Sequence, residues 1–209
     1  MFEAKNLSKT FSQNLIFRNV NISCSNGDIV GIKGMNGSGK TTLLRIFAGV
    51  LTPDNGEIYL DEKKFVSKGD ISFVVNNERS FFWRISVLEN LNYFLSFHIQ
   101  SKSKRIEIIS ELLRYFDLDE KKRELFSKLS SGERMKVSLI RSFSKNARIY
   151  LFDEVFNSLD ENTSEKLASL MKNNQDSINI VVSHRDPELD NLCNKKYEIK
   201  EKTLNELSQ

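Results

Sequence analysis

Gly34-Met35-Asn36-Gly37-Ser38-Gly39-Lys40-Thr41-Thr42 satisfies the pattern G-x-x-x-x-G-K-[ST] at every fixed position. Before it, Ile29-Val30-Gly31-Ile32 reads as a buried parallel strand; after it, Leu43 to Ala48 reads as a helix. That context gives the pattern its chemistry. The glycines let backbone N–H groups turn inward as a nest for phosphate oxygens at a helix N-terminus. Lys40 then reaches the β- and γ-phosphates of a nucleotide, and the Thr41 hydroxyl ligates Mg²⁺. The alternative is a glycine-rich turn with no ligand, which the agreement of all fixed positions with the correct flanks disfavours.

The 209 residues suit one sizeable α/β domain and are too few for two full ones. A net charge of +3 is weakly basic, and the basic clusters at Lys102/Lys104/Arg105, Lys121 to Arg123 and Lys195/Lys196 are interrupted by acidic or apolar residues. They read as solvated faces, so no nucleic-acid partner is expected. Cys24 and Cys193 have neither C-x-x-C nor Cys/His metal spacing and are expected to be reduced and buried. Met1 to Asn6 carries no leader pattern and no apolar run is long enough to span a bilayer, so a cytoplasmic location is expected, with any membrane spans supplied by a partner.

Alternating residues in Phe2–Leu7 and Leu15–Ile22 predict antiparallel strands with one solvated face. Short strands are predicted at Glu57–Leu60, Ile71–Val75, Arg148–Phe152 and Ile178–Val182, and an edge strand at Lys196–Lys200. Between Arg84 and Lys145 the periodicity turns helical. Ser86 with Glu89 has capping-box spacing, a second helix is predicted over Ser103–Phe116, and a third begins near Ser131. Asp160 can cap a further helix through Leu167 and Met171, and His98 falls within helical periodicity. The expected fold is α/β: a P-loop NTPase core with a mainly parallel sheet, an antiparallel N-terminal portion and a helical subdomain at about 84–145, all in one domain over 1–209.

Asp153 and Glu154 directly follow a hydrophobic strand, at the end where ligands bind in open α/β sheets. With the phosphate loop upstream, the first can hold Mg²⁺ and the second can polarise a water for attack on the γ-phosphate. As surface residues they would merely start a helix.

The order of motifs over nearly the whole chain resembles the nucleotide-binding domain of ATP-binding-cassette (ABC) ATPases. Leu129-Ser130-Ser131-Gly132-Glu133 is similar to the family's signature motif, usually Leu-Ser-Gly-Gly-Gln, although Ser130 and Glu133 would also form a capping box in any protein. The resemblance implies that Phe11 stacks on adenine, that Ser158-Leu159-Asp160 is the D-loop crossing a dimer interface, that Glu154 is the catalytic base and Asp153 the Walker B aspartate, and that His184 contacts the γ-phosphate. It implies ATP and Mg²⁺ as ligands, held through Gly34, Asn36 to Thr42, Asn76, Ser130 to Glu133 and Asp160, with Thr41, Asn76 and Asp153 on the metal. Its partners would be a transmembrane permease subunit and a second nucleotide-binding subunit, expected to be another copy of the chain.

Some positions depart from the family's pattern. Asn76 stands where a longer Gln is common, Ser131 replaces a signature glycine, and Val155 replaces a proline. The run Glu78 to Arg84 resembles a segment of some ABC-2-type exporter ATPases. Phe81, Phe82 and Trp83 either receive a coupling helix of the membrane partner or pack internally. The expected function is the ATPase subunit of an ABC transporter. Alternatives are a soluble ABC ATPase acting on nucleic acid or ribosomes, and a regulatory nucleotide-binding module with weak hydrolysis.

Overall fold

The computed structural model describes residues 1–64, 69–75, 80–183 and 191–207. They form two compact units, one of Met1–Phe73, Arg148–Glu154 and Met171–Gln209, the other of Val74–Ala147 and Val155–Leu170. In chain order the elements are β1 (Phe2–Phe11), β2 (Asn14–Cys24), β3 (Ile29–Gly34), α1 (Lys40–Phe47), β4 (Asn55–Leu60), β5 (Lys63–Lys64), β6 (Ile71–Val75), α2 (Val87–Ser96), α3 (Lys102–Tyr115), α4 (Ser131–Ser144), β7 (Ile149–Asp153), α5 (Glu161–Asn173), β8 (Ile178–Val182), β9 (Lys195–Lys200) and β10 (Thr203–Glu206).

The first unit is built on two sheets. One is antiparallel, ordered β2-β1-β4-β5, and the other is ordered β10-β9-β3-β8-β7-β6. In the second sheet β3 pairs in parallel with both β8 and β9, and β7 pairs in parallel with β8. The sequence pattern follows the layers. In β1, Phe2, Ala4 and Leu7 point inward while Glu3 and Lys5 do not; β8 is buried along its whole length, as an interior parallel strand must be. Phe2, Phe17, Leu44, Phe47, Ile32 and Ile180 belong to one core that both sheets and α1 share. Phe2 meets Phe47 edge-on at 5.2 Å. Each such side chain, fully withdrawn from water, contributes about 1.5–3 kcal/mol.

The expected edge strand at Lys196–Lys200 is a correction. β9 lies inside the sheet, between β3 and β10, and β10 is the edge. β10 escaped the sequence reading because the turn before it is Glu201-Lys202, with φ of 49° and 64°. Such left-handed hairpin turns ordinarily announce themselves with Asn, Asp or Gly.

The second unit holds α2, α3, α4 and most of α5. Both capping boxes form: Ser86 with Glu89 on α2, and Ser130 with Glu133 on α4. His98 is a second correction, since it lies in the turn beyond α2 rather than in a helix. The aromatic run divides. Phe81 is buried and stacks on Phe126 at 4.5 Å, whereas Phe82 and Trp83 are exposed, with the Arg134 guanidinium 4.5 Å from the Trp83 ring centroid. Phe82 also meets Tyr93 edge-on at 5.0 Å and Trp83 meets Phe126 edge-on at 5.9 Å, so all three rings pack internally, but only Phe81 is buried.

Asn90 fixes the segment in front of α2. Fully buried, its Oδ1 accepts from the Phe82 N–H at 2.8 Å, and its Nδ2 donates to the Phe82 and Ser86 carbonyls at 2.9 and 3.1 Å. Asn90→Ala would strand both Phe82 backbone groups at a cost of about 2 kcal/mol. Thermal unfolding should show a midpoint lowered by about 4–8 °C for a chain of this size; an unchanged midpoint would mean that water replaces the amide.

Candidate functional site

The loop between β3 and α1 is shaped by close approach. A Cβ on Gly39, at φ 102°, would come within 2.6 Å of Ile16 Cγ2, and one on Gly34 within 2.6 Å of Ser38 Oγ. Gly39 is also the N-cap of α1, with no side-chain cap and no acidic residue in the first turn. The positive end of the helix is thus open to an anion.

Lys40 begins α1 and is 5% exposed. Its ammonium donates to the Gly34 and Met35 carbonyls at 2.8 and 3.2 Å and lies 3.9 Å from Glu154 Oε1. Burial holds its pKa below the usual lysine range, against the opposing pull of Glu154 and Asp153. Thr41 Oγ1 donates to Asp153 Oδ1 at 3.0 Å. Burial pushes the Asp153 carboxyl above the ordinary aspartate value and the neighbouring Glu154 adds to this, while the Thr41 hydrogen bond, Arg45 and Lys40 work against it. Glu154 takes a left-handed φ of 53°, with its N–H on the Val182 carbonyl at 3.1 Å. Lys40, Thr41, Asp153 and Glu154 thus converge at the C-terminal ends of β3 and β7, as the sequence led one to expect.

Alongside the loop, a pocket of about 420 Å³ is walled by residues 14–16, 35–38 and 198–202. Its third wall, the β9–β10 hairpin, carries no motif, and sequence reasoning missed it. Phe11, 46% exposed, stands across from Asn14 at the end of the β1–β2 ladder, with the Lys9 ammonium 5.4 Å from its ring centroid.

The remaining sites belong to the second unit. Ser130 Oγ accepts from the Glu133 N–H at 3.2 Å and Glu133 Oε2 accepts from the Ser130 N–H at 2.8 Å, so the Glu133 carboxylate is taken up by the cap. Ser131 is exposed, and a Cβ on Gly132 would meet no atom within 4 Å. Nothing in the chain's own packing demands glycine there. Asp160 Oδ1 accepts from the Thr163 N–H at 2.7 Å and caps α5, with Lys136 at 3.5 Å. Asn76 and His184 lie outside the described residues, as do Glu78 and Arg79 of the exporter-like run. Among the described residues no group of three or more His, Cys, Asp or Glu is placed to hold a metal on its own, and Cys24 and Cys193 are buried and form no disulfide.

Comparison with known proteins gives a consistent result. The family described as ABC transporter matches residues 17–157. The lipoprotein-releasing system ATP-binding protein LolD of Buchnera aphidicola is 30% identical over 199 residues, covering 88% of this chain and 87% of that protein. The glucose import ATP-binding protein GlcV of Saccharolobus solfataricus is 30% identical over 193 residues, and here the chain spans only 55% of its relative. Among solved structures, the dimeric post-hydrolysis state of the ATP-binding cassette MJ0796 bound to ADP and Pi superposes with a TM-score of 0.86 at 26% identity, each chain covered completely.

The raised Asp153 pKa has a consequence for stability. The folded state takes up this proton more readily than the unfolded chain, so the buried charge weakens the ligand-free fold at neutral pH, and acidification toward the ordinary value of 3.8 relieves the penalty. Asp153→Asn, free of ligand, should melt a few degrees higher than wild type at neutral pH, with the gap closing as pH falls. A variant that melts lower at every pH would mean that the Thr41 hydrogen bond outweighs the burial.

Proposed function

The chain belongs to the ABC transporter family, and from that premise we propose that it binds and hydrolyses ATP as the nucleotide-binding subunit of a transporter whose transmembrane part is a separate permease. The carrying observation is the convergence of Lys40, Thr41, Asp153 and Glu154 beside an uncapped helix N-terminus. Among the described residues no helix is long and apolar enough to cross a membrane. In this reading the chain is peripheral, on the cytoplasmic face, and the permease supplies the path. The names of the relatives, one a lipoprotein-releasing system and one a glucose import system, support a transport role without fixing cargo or direction.

ATP approaches with its phosphates toward the loop. Lys40 exchanges the Gly34 and Met35 carbonyls for phosphate oxygens, a stronger, charge-assisted pairing for a buried ammonium. The Thr41 hydroxyl and Asp153 carboxylate are hard oxygen donors 3.0 Å apart, which fits Mg²⁺, an ion that takes few protein ligands and completes its shell with phosphate and water. When bound, that ion would offset charge on the β- and γ-phosphates; Asn76 is the further expected ligand. Glu154 accepts the proton of the attacking water as its oxygen bonds to the γ-phosphorus and the bridging bond to ADP breaks. His184 completes the γ-phosphate contacts.

The loop supplies one face of the nucleotide. The opposite face comes from Ser130, Ser131 and Gly132 of a second copy, which reads the open Cα of Gly132 as a place kept clear for another molecule. Asp160, whose Oδ1 caps α5, is the expected D-loop contact at this interface. Binding two nucleotides closes the dimer, and loss of the γ-phosphates reopens it.

Steady-state Mg²⁺-ATP turnover beside light scattering tests this directly. Glu154→Gln should lower turnover by about 10²–10⁴-fold, the usual worth of a general base, and should accumulate an ATP-bound dimer. Equal turnover in variant and wild type would remove Glu154 from the reaction.

A further inference from the structure

The order of strands gives a bound nucleotide a direction. In the strand order β9-β3-β8-β7, the phosphate loop leaves β3, while Asp153 ends β7 and Glu154 follows it, two strands to one side. With neighbouring strands about 4.8 Å apart, the carboxylates stand about 10 Å from the β3 axis. A triphosphate whose γ end points at them must carry its nucleoside the other way, toward β9. That is where the pocket lies, between the loop and the β9–β10 hairpin.

The pocket's walls differ in chemistry. Ile16 is half-buried and apolar, and Met35 presents a thioether that is 83% exposed beside the loop. Such surfaces suit the flat face of a base. The hairpin wall is instead charged, and its tip is the pair Glu201-Lys202. Both residues hold left-handed backbone, φ 49° and 64°, where glycine would be easier, so the chain keeps two charged side chains at a conformational cost. The tip is also anchored: the Arg18 N–H of β2 donates to the Lys202 carbonyl at 2.8 Å, and Thr203 Oγ1 donates to the Lys200 carbonyl at 2.9 Å. Glu201 lines the pocket, and a carboxylate beside a sugar is a natural acceptor for its hydroxyls.

Resting on the nucleotide-binding reading, we propose that the Glu201-Lys202 tip is the ribose-reading element of the site. Glu201 accepts hydrogen bonds from the ribose hydroxyls, and Lys202 offsets its charge so that a carboxylate is tolerated near the phosphates. The tip is a specificity determinant, remote from the bond that breaks.

The test compares binding of ATP, 2′,3′-dideoxy-ATP and inorganic tripolyphosphate to wild type and to the double variant Glu201→Gly/Lys202→Gly, by calorimetry on the full chain. Glycine removes both side chains and relieves the left-handed backbone, so the fold is safe, and a melting curve checks it. Wild type should prefer ATP to the dideoxy analogue by about tenfold, the worth of one hydrogen bond to a charged group, and the variant by no more than about twofold. Tripolyphosphate affinity should be the same in both proteins. If wild type binds ATP yet shows no preference, or the variant keeps the full preference, the ribose assignment is wrong while the ATPase reading stands. If wild type binds neither ATP nor tripolyphosphate, both readings fall.

Discussion

A buried ammonium governs this structure. Lys40 sits almost wholly out of water with two carbonyls of its own loop and a carboxylate at 3.9 Å as partners. Burying such a charge is costly unless it is paired and hydrogen-bonded. The loop supplies that pairing from backbone alone, and this requires Gly34 and Gly39, where any Cβ would collide. The carboxylates of β7 must also arrive at the same edge, which depends on the parallel register Asp153 to Val182. The resting arrangement is self-satisfied, and on the proposed reading a phosphate improves on it by offering Lys40 charged oxygens in place of neutral ones.

The same constraint explains a division of labour. On the proposed reading, the groups that meet phosphate sit on the first unit, where Leu43, Leu44, Ile46 and Phe47 lock α1 into the core. Groups that would meet it from the other side sit on the second unit, at the start of α4, where the capping box holds the backbone and leaves Ser131 and Gly132 facing open space. Ser131, which replaces a customary glycine, meets no crowding within its own chain. Val155, where proline is usual, is buried at the start of a 3-10 turn and serves packing instead.

What could be read from the sequence was what local chemistry dictates. Gly34 to Thr42 had a mechanism attached to each fixed position, the hydrophobic strand before Asp153-Glu154 put the two acids at its C-terminal end, and Ser86/Glu89 and Ser130/Glu133 announced two helix starts that form as expected. What could not be read depended on tertiary context. β10 was hidden because Glu201-Lys202 adopts a glycine-like turn without glycine. Phe81, Phe82 and Trp83 read alike in the sequence, and only burial under Phe126, far along the chain, sets Phe81 apart from its two more exposed neighbours. The pocket wall at 198–202 has no motif, since three segments distant in sequence make it together.

The central claim, that one copy's phosphate loop closes over ATP against the signature residues of another, is tested most directly by cross-linking. Met35→Cys and Ser131→Cys, both at exposed positions, would be placed in the Glu154→Gln chain and treated with a short bis-maleimide; the native Cys24 and Cys193 are buried. The account predicts a covalent dimer that forms with Mg²⁺-ATP and not without nucleotide. A chain that stays monomeric with ATP, or cross-links equally in its absence, would contradict it.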